Sequence, residues 1–112
     1  MEMNIKGILK NYALDFDKDL KVFLNKKISR TKLDQAIKYS LTIGGKRIRP
    51  VIVRLVSESL GLKKSDYKQI ALASELLHTY SLVHDDLPQM DNDDYRRGKL
   101  ATHKKFDDAT AI

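Results

Sequence analysis

Apolar residues recur at helical spacing along almost the whole chain. Between Asp15 and Ile28, the residues Phe16, Leu20, Phe23, Leu24 and Ile28 fall on one helical stripe. Asp15, Asp17 and Asp19 stand near its start and Lys26 and Lys27 near its end, where each sign complements the helix dipole. A second helix is expected over Thr31–Leu41, with Thr31 as N-cap and Leu33, Ala36, Ile37 and Leu41 facing inward. Gly44-Gly45 ends it. Pro50 suits the first position of a third helix and Gly61 the C′ position after it, bracketing Val51–Leu60. A fourth helix is expected from about Asp66, with Gln69 as the N3 partner of a capping box. Its apolar face reads Ile70, Ala73, Leu76, Leu77, Tyr80 and Val83, and it runs into an acidic cluster. After Pro88 the chain is polar and irregular until Phe106, where Asp107 is placed to cap a further helix. No segment alternates with period two, and no hairpin is predicted. The class is all-α. The last helix has barely begun at Ile112, so the chain is expected to be the opening of a longer domain.

Composition removes several kinds of chemistry. The absence of Cys excludes disulfides, thiolate metal sites and cysteine nucleophiles, and fits a reducing compartment. Apolar runs such as Val51-Ile52-Val53 are too short for a membrane span or a secretory signal. The formal charge of +6 raises nucleic acid as a partner, but its distribution opposes that reading. Residues 1–64 carry a net +9 and residues 65–112 a net −3, with five aspartates between Asp85 and Asp94. Such a cluster repels phosphate unless a metal ion intervenes.

That cluster, Asp85-Asp86-Leu87-Pro88-Gln89-Met90-Asp91-Asn92-Asp93-Asp94, offers oxygen ligands of the kind Mg²⁺ prefers. Asp85 and Asp91 would point apart on a straight helix. Pro88 disfavours helical geometry at Leu87, and a bulge there could return Asp91 towards Asp85. An EF-hand is excluded, because counting the loop from Asp91 puts Arg96 where Gly is required. Taken alone, the run reads as well as a solvated loop. Tyr95-Arg96-Arg97-Gly98 follows directly, and paired guanidinium groups beside a metal site suit a diphosphate, although they could equally balance the neighbouring acids.

Gly44-Gly45-Lys46-Arg47-Ile48-Arg49-Pro50 gathers three cations at a helix N-terminus, where they disfavour the helix unless an anion is bound. It is not a P-loop, since that pattern and its preceding strand are absent, and a basic surface turn is the plain alternative. His78 stands about 10 Å before Asp85 on one helix, at about 1.5 Å per residue. It could donate to a phosphate oxygen or be structural. His84 and His103 carry less, and no Ser-His-Asp or HExxH arrangement can be drawn.

Taken together, GGKRIRP, the stretch Glu75–His84, DDLPQMD and DDYRRG resemble the N-terminal part of the trans-prenyltransferases, or polyprenyl synthetases, which include farnesyl and geranylgeranyl diphosphate synthases. DDLPQMD is similar to their first aspartate-rich motif in its longer DDxxxxD form. The resemblance runs from about Thr31 to Ile112, and the order and spacing of the four motifs make it specific. It implies the N-terminal portion of a large all-α isoprenoid-synthase bundle, a single domain usually found as a cytoplasmic homodimer. It also implies condensation of isopentenyl diphosphate with an allylic diphosphate, farnesyl diphosphate being the expected product. Asp85 and Asp91, with Asp86 alongside, would hold Mg²⁺ on the allylic diphosphate, which Arg96 would contact. Lys46, Arg49, His78 and Arg97 would hold the diphosphate of isopentenyl diphosphate. Tyr80, five residues before Asp85, would help to form the floor that limits product length. The second aspartate-rich motif of the family does not occur in these 112 residues. The chain alone is therefore expected to be inactive. The competing reading is a non-catalytic subunit of a heteromeric synthase, and an intact first motif argues against it.

Overall fold

The computed structural model describes residues 4–27 and 30–112. Among these, the elements in chain order are α1 (Ile5–Lys27), α2 (Lys32–Thr42), α3 (Ile48–Ser59), α4 (Lys64–Asp85), β1 (Tyr95–Arg96), β2 (Lys99–Leu100), α5 (Thr102–Lys105) and α6 (Asp108–Ala111). The all-α expectation holds apart from one two-residue antiparallel ribbon, in which Tyr95 pairs with Leu100 and Arg96 with Lys99. Two compact units are present. Met1–Phe23 and Lys46–Glu75 form the first; Leu24–Gly45 and Leu76–Ile112 form the second.

In the first unit, α1 begins ten residues earlier than its stripe predicted. Asn4 explains the start, because its Oδ1 accepts from the Gly7 amide at 3.1 Å as an N-cap does. The stripe continues through buried Phe16 and Leu20; Ile28, assigned to the same stripe, lies outside the described residues. Helix α3 starts at Ile48 rather than Pro50, so Pro50 occupies the third position, where its missing N–H still costs nothing. Its far end is as expected: Gly61, at φ +77, donates to Glu58 O and Leu62 donates to Ser57 O, a complete Schellman motif. Helix α4 starts at Lys64, and the reciprocal cap is made by Asp66, which accepts from the Lys63 amide at 2.8 Å, not by Gln69.

The buried face of α4 in this unit is also not the expected one. Tyr67, Ala71, Leu72 and Glu75 are buried, whereas Ile70 is 60% exposed. A long helix with apolar residues on several faces does not declare which face packs. Arg54 contributes locally, stacking 3.4 Å from the Tyr12 ring centroid while donating to Asp15 Oδ2.

In the second unit, Thr31 caps α2 as expected, accepting from the Asp34 amide at 3.2 Å. Ala36 and Leu41 are buried, but Leu33 is exposed. Helices α2, α5 and α6 pack together. Ser40 and Thr102 share a hydroxyl hydrogen bond at 2.7 Å, the Tyr39 hydroxyl donates to Leu100 O, and Tyr39 meets Phe106 edge-on. Asp107 caps α6 as predicted, accepting from the Thr110 amide at 2.7 Å.

Candidate metal and diphosphate site

The acidic segment belongs to the second unit. Helix α4 ends at Asp85, and the backbone then folds back on that end. The Asp91 amide donates to Asp85 O at 2.8 Å, Asn92 to Leu87 O at 3.0 Å and Asp93 to Asp86 O at 3.1 Å. Asn92 takes a left-handed conformation at φ 55, which its short polar side chain tolerates. Leu87 is buried beneath the turn and anchors it. Two aspartates six residues apart in sequence thus come together at backbone level, through the interruption that Pro88 imposes.

The arginines follow on the β1–β2 ribbon. Arg97 and Gly98 form its tip with φ 52 and 76, the pair of positive angles that a two-residue hairpin turn needs. Arg96 donates from Nε to Asp86 Oδ2 at 2.7 Å and from Nη2 to Asp86 Oδ1 at 2.8 Å. The Asp86 side chain is 2% exposed and that of Arg96 26%. This hydrogen bond and the surrounding charges of Asp86, Asp93 and Asp85 hold the Arg96 guanidinium above its usual pKa, against partial burial. Arg97 is placed differently: it is exposed, and its Nη1 donates to Gly44 O at 2.8 Å. A Cβ on Gly45, whose φ is +146, would lie 2.9 Å from that same nitrogen.

The basic segment Lys46–Arg49 belongs to the first unit. Its three cations differ in environment. Arg47 is 6% exposed and left-handed at φ 58, donating to Asp17 Oδ1 at 2.8 Å and Glu75 Oε1 at 2.9 Å. Lys46 and Arg49 are exposed on either side of it. The burden of three cations at the start of α3 is thus relieved partly by carboxylates of the protein itself. Of the histidines, His78 is half-buried and His84 lies 3.0 Å from Ile112 O by its Nε2. His103 is buried with neither ring nitrogen hydrogen-bonded.

A model of the polyprenyl synthetase family matches residues 30–112. The chain belongs to the polyprenyl synthetase family. It is 58% identical over 84 residues to a farnesyl diphosphate synthase of Micrococcus luteus, covering 75% of this chain and 29% of the relative. It is 41% identical over 112 residues to that of Bacillus subtilis, covering all of this chain and 38% of the relative. Among solved structures, a geranyltransferase from Legionella pneumophila superposes with a TM-score of 0.89 at 45% identity, over 96% of this chain and 38% of that one. The chain spans well under half the length of these polyprenyl synthetase relatives.

Within that family frame, the donor set can be tested against Mg²⁺. No group of three or more His, Asp or Glu side chains converges to hold a metal among the described residues. Mg²⁺ needs fewer, since it binds through one or two carboxylates and completes its shell with water and phosphate oxygens. Asp85 and Asp91, joined through their backbones, supply two carboxylates of the kind Mg²⁺ takes. Each Asp86 oxygen also accepts one hydrogen bond from Arg96.

Tyr80 stands on the half of α4 that belongs to the second unit, edge-on to His84 at 4.9 Å and 54% exposed. It lines an apolar cleft of about 340 Å³ together with Leu33, Ile37, Leu76, Val83 and Ile112. Its neighbour on the expected buried stripe, Leu77, is 66% exposed.

Proposed function

We propose that this chain is the N-terminal part of a polyprenyl synthetase domain that condenses isopentenyl diphosphate with an allylic diphosphate such as dimethylallyl or geranyl diphosphate. The product we assign is a short-chain polyprenyl diphosphate, farnesyl diphosphate foremost. The observation that carries this reading is the acidic turn, in which the Asp91 amide closes on Asp85 while Arg96 is clamped on Asp86 beside it. The names of the relatives support the same reaction class. We assign the enzyme to the cytoplasm as a homodimer, on the family resemblance.

In this reaction the allylic C–O bond breaks, its electron pair leaves with pyrophosphate, the isopentenyl double bond attacks the allylic C1, and a proton is then lost. Mg²⁺, when bound by Asp85 and Asp91, supplies positive charge that favours the departing pyrophosphate. Arg96 places a fixed guanidinium where negative charge develops on the leaving group. On the family resemblance alone, we assign Lys46, Arg49, His78 and Arg97 to the diphosphate of isopentenyl diphosphate. Tyr80, beside the apolar cleft, helps to limit product length.

The test is a chimera in which this chain replaces the matching stretch of the Bacillus subtilis relative. Incubated with Mg²⁺, labelled isopentenyl diphosphate and geranyl diphosphate, it is expected to release farnesyl diphosphate, and Tyr80→Ala within it to give longer products. A folded chimera without product would overturn the reading, and an unchanged product distribution would remove Tyr80 from it. The 112-residue chain alone is expected to bind Mg²⁺-pyrophosphate weakly and to turn nothing over.

A further inference from the structure

We infer that Arg47 is a positioning residue: held between Asp17 and Glu75, it fixes the turn that presents Lys46 and Arg49 to a diphosphate, and itself binds no ligand. The inference rests on the assignment of Lys46 and Arg49 to isopentenyl diphosphate and deepens it. All five residues belong to the first unit. The Arg47 guanidinium donates from Nε to Asp17 Oδ1 at 2.8 Å and from Nη1 to Glu75 Oε1 at 2.9 Å, so α1 and α4 both grip it. Its backbone is left-handed at φ 58 and ψ 32, a conformation that a non-glycine residue keeps only where its surroundings over-determine it. Its carbonyl accepts from the Val51 amide at 3.1 Å, so the same residue sets where α3 begins. On either side of it, Lys46 and Arg49 are exposed.

Charge separates positioning from direct attraction. One guanidinium against two carboxylates leaves a net −1, so the three side chains by themselves repel an anion at the turn. With side chains only 5% and 6% exposed, Arg47 and Glu75 are also closed to a diphosphate. A buried ion pair is a poor source of net stability, because desolvation consumes much of its attraction; what this one supplies is a single geometry. Any benefit to an anion therefore passes through the backbone. With Arg47 anchored inside, Lys46 and Arg49 stay on the exposed side of the turn, and the segment is ordered before the ligand arrives. Neighbouring cations in one motif thus divide the work, Arg47 holding the turn and its two neighbours meeting the ligand.

The experiment measures binding of inorganic pyrophosphate to the 112-residue chain by calorimetry, without Mg²⁺, so that the aspartates repel the probe. Lys46→Ala combined with Arg49→Ala is expected to weaken binding at least about tenfold, which locates the probe on the basic turn. Glu75→Gln removes a negative charge and keeps the shape of the side chain. Attraction alone would then tighten binding, whereas loss of position is expected to weaken it about fivefold. In the Lys46→Ala, Arg49→Ala background the same change is expected to alter affinity by less than about twofold, because Arg47 then has no cation to position. Should Glu75→Gln fail to fold, Asp17→Asn, at a side chain 46% exposed, carries the same test with the same sign. Tighter or unchanged binding in the variant, or an equal loss in both backgrounds, would overturn the positioning role and leave the basic turn as the diphosphate site. No pyrophosphate binding by the wild-type chain, or binding indifferent to Lys46→Ala with Arg49→Ala, would overturn that site, and the positioning role with it.

Discussion

Two arginines, one in each compact unit, each donate to a buried carboxylate, and they serve different ends. Arg47 in the first unit is closed off with its partner: its side chain is 5% exposed and that of Glu75 6%. Arg96 in the second unit is anchored on a carboxylate 2% exposed while remaining 26% exposed itself. The first pair has no face left for a ligand. Its work is structural, holding a left-handed residue at the start of α3, a conformation that costs about 1–3 kcal/mol. The second pair is open at the arginine. The sequence around the two arginines does not separate these cases by itself; relative burial of the two partners does.

The largest effect should come from breaking the closed pair. Glu75→Ala removes the buried carboxylate facing Arg47, while Asp17, whose side chain is 46% exposed, remains, and should cost about 3–5 kcal/mol. Urea unfolding followed by circular dichroism reads this directly. Asp86→Asn should cost less, about 1–2 kcal/mol, because a partly exposed Arg96 can turn to water for the lost hydrogen bonds. If both variants lose the same stability, the distinction between closed and open pairs falls.

Arg97 extends the comparison to an arginine held by a backbone oxygen. Gly45→Ala introduces a Cβ 2.9 Å from Arg97 Nη1 at a φ of +146, which only glycine adopts readily. The guanidinium can swing away, so the cost is mainly backbone strain, about 1–3 kcal/mol, together with the contact to Gly44 O. Gly98→Ala meets nothing within 4 Å at φ +76, and should cost about 1 kcal/mol. Thermal melting of the two variants ranks them. The reverse order would show that the Arg97–Gly44 contact does not govern this glycine.

Much of this was legible in the sequence because it is local. The Thr31 cap, the Gly61 stop, the Asp107 cap and the return of Asp91 after Pro88 all follow from neighbours within a few residues. What was missed is of two kinds. The ribbon at Tyr95–Leu100 turns on Arg97 at φ 52, an angle that an arginine does not advertise as Asn or Asp would. The pairs Arg47–Glu75 and Arg96–Asp86, and the buried side of α4, depend on partners brought together by tertiary packing. Asp86 is the instructive case. Its place in DDLPQMD is legible as part of a metal motif, whereas its two hydrogen bonds from Arg96 are not legible in the sequence.

The smallest effect belongs to a pair at the exposed extreme. Lys32 donates to Asp107 Oδ2 with side chains 62% and 40% exposed. The hydrogen bond from Lys32, followed by that from the Thr110 amide, lowers the Asp107 carboxyl to about 2. A depressed folded-state pKa stabilises the native chain above the unfolded value near 3.8, and that contribution fades as pH falls from there through about 2. Lys32→Met should raise the Asp107 midpoint towards the ordinary carboxylate range, as read by ¹³C NMR of the side chain. It should hardly move the unfolding midpoint at neutral pH, since solvent screens so exposed a pair. The three carboxylates then form a series, from Glu75 through Asp86 to Asp107, in which stability loss tracks how far each pair is closed to water. A large loss in Lys32→Met would break the series at its exposed end, and show that a partner's burial is not what separates a structural arginine from one left open to a ligand.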